Sequence, residues 1–148
     1  MATAPRVVTP KHLWAVGILS LLWNAFGAAD YTMTELGNLA WFEMMGLGSE
    51  ELAWTRSFPT WTVAAWAVGV WGSVAGSLLL LARSRHAITA FLLALLGASA
   101  SFAYQFTADD KPASLAGGAA VLMPVVIMIL IVAQWYYARR QAAAGVLS

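Results

Sequence analysis

Cysteine is absent from the 148-residue chain, which excludes disulfides, thiolate metal sites and a cysteine nucleophile or redox pair. Charge is also scarce. Only 10% of residues are Asp, Glu, Lys or Arg, whereas 61% are hydrophobic. Soluble domains carry about 25% charged residues, so this composition belongs to a protein that lies in lipid. Histidine occurs twice, at His12 and His86, each at the end of an apolar run and beside basic residues. Ligands for a haem or metal held between helices must face one another at depth, so neither a cofactor nor a metal is expected. No basic tract is interleaved with aromatics, which argues against nucleic-acid binding. The histidines and the carboxylates fall on opposite membrane sides, so hydrolytic catalysis has no support and no enzyme activity is expected.

Long apolar runs are what the chain does have. A hydrocarbon core of about 30 Å needs about 20 apolar residues at 1.5 Å rise. Four stretches qualify, at about 13–33, 61–82, 87–106 and 115–138. They leave no room for a separate soluble domain, and the expected fold is all-α. It is a single four-transmembrane-helix bundle with a short interfacial helix in the first outer loop. The lipid bilayer is its first partner. A homo-oligomer or a larger membrane complex is the second, because four helices enclose little volume.

Charge placement orients the bundle. Arg6, Lys11, Arg83, Arg85, Arg139 and Arg140 fall on one side with no acidic residue among them. The other side carries Arg56 and Lys111 against Asp30, Glu35, Glu43, Glu50, Glu51, Asp109 and Asp110. Basic residues stay in the cytoplasm, so both termini are expected there, with the multi-pass protein in a bacterial inner membrane.

The first span carries the polar positions of most interest. Ser20, Asn24, Gly27 and Tyr31 recur at helical spacing and share one face. Asp30 lies where the span leaves the hydrocarbon. Asn24, Gly27 and Asp30 form the candidate substrate-binding set, in which glycine leaves a notch between two polar side chains. Asn24 could equally serve as interhelical glue, and Asp30 could be solvated at the interface. In the second span Ala65, Gly69, Ser73 and Ser77 recur every four residues, beside a Gly72/Gly76 pair. Gly69, Gly72, Ser73 and Gly76 are the expected helix-packing residues, because small side chains let backbones approach closely in lipid.

Between these spans, residues 34–58 are too polar to cross and too apolar for a plain linker. Ser49 before Glu50 and Glu51 reads as the N-cap of a short helix ending near Arg56. Trp41, Phe42, Trp54 and Phe58 suit a cap or lid on the bundle. Pro124 should kink the last span or free a carbonyl.

The segments LLWNAFGAADYTMT and ELAWTRSFPTWTVAAWAVGVWGSVAGSLLLLARSRHA resemble a family of small bacterial inner-membrane proteins. The shared marks are Trp23-Asn24 with Gly27 and Asp30, the Phe58-Pro59-Thr60-Trp61 entry, and Gly76-Ser77 running to the basic turn at Arg85. The match covers residue 13 to about 106. It implies the four-span topology, and members are often named "sugar transporter"; a small transporter for a polar or cationic solute, using Asn24 or Asp30, is one expectation. A non-catalytic accessory subunit, docking through the small-residue face of the second span, is the other expectation. Small multidrug-resistance transporters also have four spans, but they depend on a first-span glutamate that is missing from the middle of this one.

Overall fold

A computed structural model describes residues 7–148; Arg6 and the start of the basic tail lie outside the described residues. Four long helices are long and apolar enough to cross a membrane: α1 (Lys11–Glu35), α4 (Thr60–Leu81), α5 (His86–Thr107) and α6 (Ala119–Ala143). Two short ones, α2 (Leu39–Met44) and α3 (Ser49–Arg56), fill the connection after α1. The bundle is all-α, as the hydropathy pattern requires.

Local sequence sets the boundaries. Pro10 and Pro59 precede α1 and α4, where a missing N–H costs nothing. The loop after α1 breaks into two helices because Gly37 and Gly46 both adopt positive φ. Asn38 caps α2 by accepting from the Trp41 N–H at 3.1 Å. The N-cap of α3 is Gly48 rather than Ser49. Its N–H donates to Glu51 Oε2 at 2.7 Å, so the carboxylate of the first turn takes the capping role expected of the serine. The last span begins later than its hydropathy suggests. Ala113–Leu115 form one 3-10 turn, and Gly118, at φ 60°, lets the chain turn into α6.

The packing follows the size of the side chains. Helices α4 and α5 make the closest pair, followed by α1 with α4 and α5 with α6. A Cβ added to Gly97 would lie 2.6 Å from the Ala65 carbonyl oxygen, and one added to Gly69 would lie 3.0 Å from the Ala98 nitrogen. Backbones this close are possible only where the side chain is a hydrogen, and dispersion contacts then hold the pair. Gly72 faces Ala94 and Gly76 faces Phe91, so the three glycines of α4 are spent on α5.

Leu13, Leu80, Ala87, Phe91, Ala138 and Leu147 form a buried cluster at the basic end, and Ala94, Ala98 and Ile131 form another further along. The helices run in sequence as α1, α4, α5 and α6, and α6 is the most peripheral, with 11% of its span buried. Helices α1 and α6 therefore meet mainly through long side chains.

Candidate functional site

Asn24 lies near the middle of α1 and is 6% exposed. Its Nδ2 donates toward the Ser73 carbonyl at 3.1 Å, Ser77 Oγ at 2.9 Å and Gln134 Oε1 at 3.2 Å. Two N–H protons are shared among three acceptors. Ser77 Oγ donates in turn to the Ser73 carbonyl at 3.0 Å, which turns its lone pairs toward Asn24. The result is a polar knot that joins α1, α4 and α6. Sequence reasoning missed Gln134. The available signal was an amide inside an otherwise apolar span, a position where polar groups must find partners.

A small cavity of about 70 Å³ adjoins the knot, lined by Asn24, Gly69, Ser73 and Ser101 together with Trp66 and Phe102. The Asn24 carbonyl oxygen has no hydrogen-bond partner among the described residues. The cavity has room for water, which needs about 10–15 Å³ by this measure.

Asp30 lies six residues further along α1, about 9 Å closer to the acidic end. It is half-buried and accepts one hydrogen bond, from Trp41 Nε1 at 2.8 Å. Trp41 belongs to α2, so the short helix is anchored on the carboxylate. Asp30 opens into a chamber of about 250 Å³. Thr34, Gln105 and Pro124 line it, along with the rings of Phe42, Trp54, Phe58, Trp66 and Phe102. Trp66, Phe102 and Ile127 also line the smaller cavity at Asn24, so they partition one space from the other.

The polar groups of the chamber are mostly acceptors. Thr34 Oγ1 donates to the Asp30 backbone carbonyl at 2.8 Å, and Gln105 Nε2 donates to Ser101 Oγ at 3.1 Å. That leaves the Gln105 carbonyl oxygen and the Asp30 carboxylate to meet a guest. No Lys or Arg pairs with Asp30 among the described residues. The chamber thus combines aromatic walls with a carboxylate that has no cationic partner among the described residues.

Helices α2 and α3 roof the chamber, and hydrogen bonds tie the roof down. Glu51 is 8% exposed and accepts from the Gly48 N–H and from Ser114 Oγ, which lies in the loop before α6. Trp54 Nε1 donates to Asp110 Oδ1 at 3.2 Å in the same loop. The Ser114 hydrogen bond, and then the Gly48 one, hold the Glu51 carboxyl below its ordinary value. Trp54 also stacks edge-on against Phe58, with ring centroids 4.8 Å apart.

The three positions of the candidate set thus fall in different places. Asn24 lines the inner cavity and Asp30 the outer chamber. Gly27 lines neither: a Cβ there would meet only Val70 Cγ1, at an ordinary contact distance of 3.7 Å, so α4 borders the notch without filling it. His12 Nδ1 meets the Tyr137 hydroxyl at 2.5 Å, joining α1 to α6 at the basic end. Among the described residues, no three His, Asp or Glu side chains come together to ligate a metal. Comparison with protein-family models, characterised proteins and solved structures found no match.

Proposed function

We propose that this chain binds a small organic cation in the chamber beneath α2 and α3, as the recognition step of a small-solute transporter. One observation carries the reading. Asp30 places a carboxylate without a cationic partner among the described residues into a space walled by aromatic rings. Such a carboxylate is costly inside a bundle unless a charge comes to meet it. A ring face adds about 0.5–2 kcal/mol to the attraction of a desolvated cation. The resemblance to small inner-membrane proteins named as sugar transporters supports a solute-binding role but not the class of solute, which the carboxylate and the rings favour as cationic. In this reading the protein sits in a bacterial inner membrane with both termini in the cytoplasm, and it assembles as a homo-oligomer. The accessory-subunit alternative relied on the small-residue face of α4, which α5 covers.

Binding of tetraethylammonium to the chain in lipid nanodiscs tests the proposal, read as a change in fluorescence of the tryptophans around the chamber. Saturable binding is expected, with affinity falling at least tenfold in Asp30→Asn while assembly persists. Equal binding by the Asp30→Asn protein, or saturable binding of a neutral sugar in place of the cation, would overturn it.

A further inference from the structure

The seam between α1 and α6 holds a separate recess of about 460 Å³. Val16, Ser20 and Trp23 line it from α1, and Ala133, Gln134 and Tyr137 line it from α6. It shares no lining residue with the chamber at Asp30. Leu19, Trp23 and Ala133 at its edge are exposed, so the recess opens sideways, where a spanning protein meets lipid.

Two polar side chains within it each leave a donor unmatched among the described residues. Ser20 and Gln134 are each 7% exposed. Ser73, Ser77 and Ser99 each donate to the carbonyl four residues back, whereas the Ser20 hydroxyl makes no hydrogen bond among the described residues. Gln134 is oriented by chemistry. Asn24 must present N–H to the Ser73 carbonyl, so Gln134 must turn its oxygen toward that same amide. Its Nε2 is then left without an acceptor among the described residues. Hydrocarbon supplies no acceptor for either group, and leaving a donor unmatched there is costly. Both call for a ligand carrying a carbonyl oxygen.

Position narrows the class of ligand. Ser20 lies about 10 Å inward from Leu13, and Gln134 about 7 Å inward from Arg139. Both are therefore in the leaflet at the basic end. Helical spacing extends the seam toward that end, through His12 four residues before Val16 and Arg140 three residues after Tyr137. No acidic residue belongs to that side, so the mouth of the seam suits an anion.

We infer that the α1–α6 seam binds one anionic glycerophospholipid, its acyl chain along the recess, its ester carbonyl on Ser20 and Gln134, and its phosphate at His12 and Arg140. The site is independent of the cation chamber, and Asp30→Asn leaves it intact.

Native mass spectrometry tests this on the full chain, released from nanodiscs holding equal phosphatidylglycerol, phosphatidylcholine and a prenylquinone. One retained phosphatidylglycerol is expected. Ala133→Phe, which fills the recess without touching the polar knot, lowers its occupancy at least tenfold. Arg140→Gln keeps a bound lipid but loses the preference for the anionic headgroup. The absence of native cysteine permits a second measurement, in which Ala133→Cys reacts with a maleimide at least fivefold more slowly when phosphatidylglycerol is present. Undiminished occupancy in a folded Ala133→Phe protein would overturn the inference. So would retention of the quinone instead, protection of Ala133→Cys by a second copy of the chain, or a maleimide rate indifferent to lipid.

Discussion

Asn24 shows how one polar residue in lipid can hold three helices. Its side chain reaches a backbone carbonyl, a serine and Gln134 at once, so Asn24→Leu removes the amide that donates to all three. Interhelical hydrogen bonds in membranes average well under 2 kcal/mol each, and the substitution is expected to cost about 1–2 kcal/mol, read as a lower melting temperature in detergent. Gln134→Leu should be destabilising as well, and the double variant should lose less than the two single losses combined, because the residues share one network. Additive losses would show that they act separately. Glu51 makes a second residue-scale prediction. Its carboxyl is depressed by Ser114 first and Gly48 second, so its contribution is present above its ordinary value of 4.5 and is lost as pH falls through the lower folded value. Protection of the α3 backbone from hydrogen exchange is therefore expected to fall as the pH drops below 4.5 and through the lower folded value, and Glu51→Gln should abolish that pH dependence. Exchange with the same acid response in both proteins would remove Glu51 as the cause.

Among the elements, the α4–α5 pair depends most on what is missing from its side chains. Gly97 is the tightest position, facing backbone atoms of Ala65 and Gly69, whereas a Cβ on Gly72 meets Ala94 Cβ at 3.2 Å. Gly97→Ala is expected to force the helices apart and cost about 1–3 kcal/mol. Gly72→Ala should cost less, since its nearest contacts lie at 3.2–3.3 Å, whereas those of Gly97 begin at 2.6 Å. Reversal of that order in detergent melting would mean that α4 and α5 are not packed as described. The four-residue recurrence in α4 was legible in the sequence, but the partner was not. Spacing marks a face, and a face can turn toward any neighbouring helix or toward lipid. The glycine on the other side, Gly97, also has a small residue, Ser101, four positions on, but that spacing could not name α4 as its partner.

Charge placement predicts how the whole chain lies in the membrane, and the absence of cysteine makes that orientation easy to test. Single cysteines at Ser49 and Asp110 are expected to react with an impermeant thiol reagent added to intact cells, and one at Ser84 is not. Labelling at Ser84 would reverse the proposed orientation. The same asymmetry gives the two ends different chemistry. The acidic end carries the roofed chamber with its carboxylate, and the basic end closes through His12, Tyr137 and the core around Phe91. These sites occupy opposite halves of the molecule, so substitutions at one are expected to leave the other unchanged.

The sequence by itself determined the all-α class, the four apolar helices and the polar positions at Asn24 and Asp30. Those follow from summed hydropathy and helical periodicity, which are properties of a local stretch of chain. Only the tertiary structure decided that Asn24 is tied to Gln134, more than a hundred residues away, and that Asp30 meets Trp41 across a turn. It also decided that Gly27 borders Val70 and lines neither cavity, and that the connection after α1 is two helices, of which α3 is pinned to the loop before α6. Each of these depends on which helices become neighbours and how they rotate about their axes. Close packing and the pairing of buried polar groups settle that choice together, and neither is encoded in any single segment.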